Sequence, residues 1–214
     1  MQKTLLGCLA VAAVAVFFIL ILFVAGCSSY NGLVKLSQGV DAQWAQVQND
    51  YQRRADLIPN LVNTVSGAAN FEKSTLTEIA SARASVGQVK LDTSTAPSDA
   101  QKLAQFQQAQ DRLGFAISRL MSIVENYPNL KANENFRDLQ AQLEGTENRI
   151  AVARRDFNTA AQSYNTAVKS FPAVLYAGAM GFQPKPYFQA TAGADKPPAV
   201  NFNFGTPTPP PAKP

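Results

Sequence analysis

Through the middle of this 214-residue chain, apolar side chains recur every three or four positions, close to a 3.5-residue period. That spacing marks long helices packed nearly parallel in a bundle. In the first segment the stripe runs Val40, Trp44, Val47, Tyr51, Arg54, Ile58, Leu61, Val65 and Ala68. A shorter helix is expected over residues 71–86 with Leu76, Ile79 and Val86 inward, and residues 87–98, rich in Gly, Pro, Ser and Thr, read as a loop. A third helix carries Leu103, Phe106, Gln110, Leu113, Ile117, Leu120, Val124 and Tyr127 to a stop at Pro128, since proline disfavours helix in the residue before it. Asn133 is the expected N-cap of a fourth helix. Its stripe is Phe136, Leu139, Leu143, Thr146, Ile150, Ala153, Phe157, Ala160, Tyr164, Ala167 and Phe171, and Pro172 ends it. Short connections make neighbouring helices antiparallel. The expected fold is therefore all-α, an elongated antiparallel four-helix bundle. Pro59 falls inside the first long helix, where a proline removes a backbone hydrogen bond and clashes with the preceding turn, so a kink or short break is expected at residues 57–60.

Ahead of the bundle, residues 5–26 contain no charged side chain. An apolar helix of ~20 residues spans a bilayer, whereas the h-region of a cleavable secretory signal is shorter, about 7–15 residues. Lys3 supplies a positive flank on the amino-terminal side, which puts Met1 in the cytoplasm and the body outside it. The same residues support a second reading. Val24-Ala25-Gly26-Cys27 has the form of a bacterial lipobox, in which Cys27 would take the lipid and Ser28-Ser29 would begin a flexible tether. Both readings tether the body to a membrane. The chain accordingly divides into residues 1–26, a transmembrane helix or lipoprotein signal; residues 27–188, the helical bundle; and residues 189–214, a Pro- and Ala-rich tail whose composition cannot bury enough surface to order itself.

Charge and residue inventory narrow the function. The formal net charge is +4, yet residues 30–172 hold 15 Lys and Arg against 14 Asp and Glu, so the excess sits in the flanks. Mixed-sign charge is what solvated helical faces carry, and nucleic acid is not an expected partner. There is no histidine, so the usual proton shuttle near neutral pH and the commonest metal ligand are both absent. Cys8 lies in the apolar block and Cys27 just beyond it, too few thiols for a disulfide framework or a zinc site. Serines lack a histidine to activate them, and no glycine-rich phosphate loop occurs. Glu144 and Glu147 read as a solvated face. Neither a cofactor nor catalysis is expected.

Several stretches resemble the LemA family: Trp44-Ala45-Gln46-Val47, the run Gln52-Arg53-Arg54-Ala55-Asp56-Leu57-Ile58-Pro59-Asn60-Leu61-Val62, Phe71-Glu72-Lys73, Tyr127-Pro128-Asn129-Leu130-Lys131-Ala132, Phe171-Pro172, and Gly181-Phe182 with Pro186-Tyr187-Phe188. The resemblance covers residues 30–188. It implies a membrane-anchored helical bundle outside the bacterial cytoplasm, no defined reaction and no catalytic residues. Cys27 and the long Pro-rich tail depart from the simplest form of that pattern.

Two groups of residues stand out as candidate sites. Asp50, Arg53, Arg54 and Asp56 in the first long helix, with Arg154, Arg155 and Asp156 in the last, fall at similar heights under antiparallel packing. They are expected to form an ion-pair belt that sets helix register, with Asp50 and Arg54 four apart on one face; an anion site is the competing reading. Tyr176, Phe182, Tyr187 and Phe188, interleaved with Gly and Pro, return towards the anchor. They are expected to cap the open end of the bundle, or else to meet a membrane surface or a partner. The function these features suggest is a non-catalytic scaffold or protein-interaction module of the cell envelope, alone or as a homo-oligomer. A regulatory adaptor of a membrane enzyme such as an envelope protease is the alternative.

Overall fold

The helical periodicity is realised in a computed structural model that describes residues 2–67, 72–89, 91–92 and 95–190. Among these described residues, five α-helices and a 3₁₀ turn follow in order: α1 Gln2–Ser66, α2 Lys73–Gln88, α3 Ala100–Val124, the single turn α4 Pro128–Lys131, α5 Glu134–Lys169, and the 3₁₀ turn Ala173–Leu175. No strand occurs among the described residues. Side chains at 2–12, 15, 18, 19, 22 and 25 lie outside the description, so the expected anchor falls largely outside it, as do Ala68 and the tail from residue 191. Among the described residues no helix is long and apolar enough to cross a membrane.

Local chemistry sets the helix ends. Asn133 caps α5 by accepting from the Phe136 backbone N–H at 3.3 Å, and Asp99 does the same for α3 through Gln101 and Lys102, satisfying donors that have no intrahelical acceptor. Helix α1 is continuous from Gln2 to Ser66, so the short break that was one of the two outcomes expected at residues 57–60 does not occur. It passes through Pro59, whose ring is exposed, while Ile58, Leu61 and Val65 are buried beside it and their packing outweighs the lost hydrogen bond. It also runs through Ser28 and Ser29, which only the lipobox reading makes the start of a flexible tether. With a 1.5 Å rise, its 65 residues span roughly 97 Å.

Helix α5 packs antiparallel along α1, and α2 pairs with α3. The apolar stripes meet in two cores. The proximal core gathers Leu33, Val40, Trp44 and Val47 of α1 with Phe106, Phe157, Ala161 and Tyr164. The distal core gathers Ile58, Leu61 and Val65 with Ile79, Leu113, Leu120, Phe136 and Leu143. Trp44 is the centre of the first, with the rings of Phe106 and Phe157 each at 5.8 Å and Phe188 at 6.2 Å, spacings at which aromatic pairs add to simple burial. The connection between α2 and α3 is tied to α1: Trp44 Nε1 donates to the Asp92 carbonyl at 3.2 Å, and the Ala96 N–H donates to Asp41 at 2.8 Å. Phe171 departs from its expected place in the stripe. Helix α5 ends at Lys169, the 3.6-residue rule lapses there, and the ring is 81% exposed.

Candidate functional site

Between the two cores lies a layer of polar side chains that three helices build together. Arg54 on α1 is 3% exposed. Its Nη1 donates to Glu147 Oε1 of α5 at 2.7 Å, and its Nη2 donates to the Gln110 carbonyl of α3 at 3.1 Å and to Gln110 Oε1. One turn towards the amino terminus, buried Asp50 accepts from Gln46 Nε2 at 3.1 Å and faces Arg149 Nε at 3.7 Å. On the other side Arg154 Nε donates to the Tyr51 hydroxyl at 2.6 Å, and its Nη2 reaches Asp111 Oδ1 at 3.2 Å. The Tyr51 ring lies against both guanidinium groups, 5.1 Å from Arg54 and 5.6 Å from Arg154. Burial pushes the Tyr51 phenol above its ordinary value, against the opposing pull of Arg154 and Arg54.

This arrangement dictates what the layer can do. Arg54, Arg149 and Arg154 face Glu147, Asp50 and Asp111, so the charges match and the layer offers no surplus to draw in an anion. Each carboxylate is held by a guanidinium. A shallow cleft of about 350 Å³ opens over the layer between α3 and α5, walled by Gly114, Phe115, Glu147 and Ala151. What the geometry supplies is register: sliding α5 by one turn against α1 would leave Arg54 buried without Glu147, and an unpaired buried charge is costly.

The residues expected in a belt are only partly brought together. Asp50, Arg54 and Arg154 join the layer. Asp50 and Arg54 bond across helices to Arg149 and Glu147 rather than to each other. Arg53 is exposed, Asp56 accepts from Gln52 on the outside at 2.7 Å, and Arg155 pairs with its neighbour Asp156 at 3.4 Å on the surface. The cause is register: Arg54 stands opposite Glu147, eight residues or roughly 12 Å from Arg155. Sequence reasoning passed over Tyr51, Asp111, Glu147 and Arg149 as members. Gln110 gave a readable signal, a polar residue on an inward position of α3, whereas Glu147 looked like surface.

The second feature is a strap. After the 3₁₀ turn the chain runs extended along the bundle and is clipped at three points by side-chain amides, each making paired hydrogen bonds to one residue's backbone. Asn165 accepts from the Lys185 N–H at 2.7 Å and donates to its carbonyl at 2.8 Å. Asn158 does the same to Phe188, both at 2.9 Å. Gln107 does so to Gln189 at 3.1 and 2.8 Å, so Gln189, assigned above to the tail, is held by the bundle. The clips satisfy backbone groups that would otherwise be stranded beside the core, and they seat Phe188 on Trp44 and Phe157. Tyr187 keeps an exposed ring, its hydroxyl accepting from Asn165 at 2.9 Å. At the base, Phe182 lies edge-on to Tyr30 with centroids 5.4 Å apart, and the Tyr176 hydroxyl donates to Ser29 at 2.7 Å. Cys27 is an exposed free thiol on α1, and among the described residues no cluster of His, Cys, Asp or Glu is arranged to hold a metal ion.

Residues 43–202, which include Trp44 of the proximal core and the whole strap, match the LemA family. The chain belongs to the LemA family. Within reach of this LemA chain are two magnetosome proteins of Paramagnetospirillum magneticum, MamQ 1 and MamQ 2. Each is 27% identical over 183 residues, covering 78% of this chain and 67% of its own length. Magnetosome protein MamQ of Magnetospirillum gryphiswaldense is 35% identical over a shorter stretch, 42% of this chain and 33% of its own. Protein LemA of Metamycoplasma hominis is 24% identical over 66% of this chain and 60% of its own. The matched LemA region contains both the polar layer and the strap.

Proposed function

We propose that this LemA-family chain is a non-catalytic helical rod, held at a bacterial envelope membrane by residues 5–26 with its body outside the cytoplasm, that presents its helical faces to other envelope proteins. The observation that carries the reading is the change of character along one unbroken helix. From Leu33 onward α1 buries a single stripe, while every described large apolar side chain over residues 14–24 is 49–68% exposed. A helix that is apolar all round calls for an apolar surrounding. The helical run through Ser28 and Ser29, with Ser29 bonded to Tyr176, favours a retained span over a cleaved and lipidated Cys27. In support of a non-catalytic role, the chain has no histidine and each carboxylate of the polar layer is engaged by an arginine.

Carbonate extraction of cell membranes tests the anchor. The chain should stay in the pellet with the intact mass of its sequence; release into the wash overturns the anchor, and a lipid-modified Cys27 as the first residue overturns the retained span. Crosslinking in intact cells with mass spectrometry tests the role. Crosslinks to several envelope proteins, or between copies, support a scaffold, whereas one recurrent enzyme partner whose activity changes on deletion replaces it with the adaptor reading.

A further inference from the structure

The turn that follows α5 presents a second apolar surface, separate from the cores and from the exposed stretch of α1. Ala173, Tyr176 and Ala177 face inward onto the proximal core. The residues between and beside them face out: Phe171 is 81% exposed, Leu175 75%, Met180 58% and Val174 54%. Among the described residues elsewhere in the body, the exposed large apolar side chains are Tyr30, Phe115, Val152 and Tyr187, scattered singly in the way that needs no explanation. Four within ten residues do need one. The turn is also firmly built. The N–H groups of Leu175, Tyr176, Ala177, Met180 and Phe182 donate to backbone carbonyls inside it at 2.8–3.1 Å, so the apolar set is held in a fixed arrangement.

Two further observations say what covers it. The first is place. Tyr176, next to Leu175, is bonded to Ser29, and Ser29 is five residues, or roughly 7 Å, along α1 from the last exposed apolar side chain of the amino-terminal stretch, Val24. The second is charge. Residues 24–40 and 157–190, which run through the tip, contain Lys35, Lys169 and Lys185 and no Asp or Glu, and the first carboxylate along α1 past Ser29 is Asp41, twelve residues or roughly 18 Å on. An apolar tip whose adjoining segments carry lysines and no carboxylate matches the boundary layer of a bilayer bearing anionic headgroups.

We propose that Phe171, Val174, Leu175 and Met180 insert into the anionic bilayer interface beside the anchor, giving the rod a second foot. The proposal rests on the reading of residues 5–26 as a membrane anchor and adds to it a contact by the carboxy-terminal end of the bundle. One foot lets a helix spin and tilt; two, on opposite helices of an antiparallel pair, fix which face of the bundle looks along the membrane.

The test uses the full chain reconstituted into vesicles of phosphatidylcholine and phosphatidylglycerol, with tryptophan as the depth probe against the constant background of buried Trp44. Leu175→Trp and, separately, Phe171→Trp should emit to the blue of the same variants in detergent-free denaturant. Lipids brominated at shallow acyl positions should quench them strongly, as lipids brominated deep in the acyl chain quench Phe17→Trp in the anchor, and both should leave Phe115→Trp, far along α3, unaffected. Red, unquenched emission at 171 and 175 with Phe17→Trp quenched overturns the second foot and leaves the anchor standing. Blue emission that bromine does not quench and that dilution into excess lipid abolishes overturns it in favour of a second copy of the chain. Unquenched emission at position 17 overturns both readings together.

Discussion

The sharpest consequence of the polar layer is that its members are worth less singly than together. Arg54→Met keeps an unbranched apolar stem and removes the guanidinium. Glu147 is half-exposed and rehydrates at small cost, but Gln110 is 3% exposed and its amide oxygen loses its donor, which costs about 1–3 kcal/mol. The variant also removes Arg54 Nε, a buried N–H with no acceptor among the described residues, so the net loss should fall near the lower end, about 1–2 kcal/mol. Gln110→Leu takes an acceptor from a buried cation and should cost about 1.5–3 kcal/mol. The double variant replaces both by an apolar seam joining the two cores and should lie within about 1 kcal/mol of the parent, since well-packed apolar residues often match a buried polar set. The coupling is then at least about 1.5 kcal/mol. At about 2–4 °C per kcal/mol for a chain of this size, each single variant should melt several degrees lower and the double should recover most of the loss. Thermal unfolding of the detergent-solubilised full chain, followed by circular dichroism, reads it out. Asp56→Ala, outside the layer, serves as the control and should change stability by less than about 0.5 kcal/mol. A double variant as unstable as the sum of the two single ones would refute the reasoning.

Other perturbations follow from the same geometry. A Cβ built on Gly145 in the middle of α5 meets Arg149 Nη1 at 3.8 Å, an ordinary contact, so Gly145→Ala should raise stability by about 0.5–1 kcal/mol in the same melt. Burial raises the Tyr51 phenol, and burial followed by the nearby Asp41 carboxylate raises that of Tyr164. Native chains therefore hold these protons more tightly than unfolded ones. The contribution is complete below pH ~10 and is lost as pH climbs through the raised native values, so Tyr51→Phe should show a shallower fall of Tm above pH 10 than the parent. Asn158→Ala removes both hydrogen bonds to Phe188, about 0.5–1.5 kcal/mol each; limited proteolysis should then cut within residues 182–190 faster, with helix content unchanged.

The fold was legible because its information is periodic. Val40, Trp44, Val47, Tyr51, Ile58, Leu61 and Val65 are all buried, and a stripe of that regularity has no other use. The polar layer was half legible for the complementary reason. Arg54 and Gln110 stood out as polar residues on apolar stripes, but their partner Glu147 is half-exposed and looks in sequence like any surface glutamate. Choosing Glu147 over Arg155 needed the antiparallel register to within two turns, and loop lengths do not give that. The strap was least legible. Asn158, Asn165 and Gln107 sit among many polar residues, and only the bundle's shape shows that their amides meet an extended chain. Pro59 shows the limit of local rules, because burial of its neighbours overrides the propensity against it.

An uninterrupted α1 carries a mechanical corollary. A globule on a slack tether samples all directions, and what happens to its foothold is lost in the linker. Here the residues around Val24 and those around Trp44 belong to one stiff lever, so a change in tilt or rotation at the base reappears at the distal core, amplified by length. On the proposed anchoring of residues 5–26, thinning, bending or crowding of the bilayer would reach the far end as a displacement, with no change in the fold.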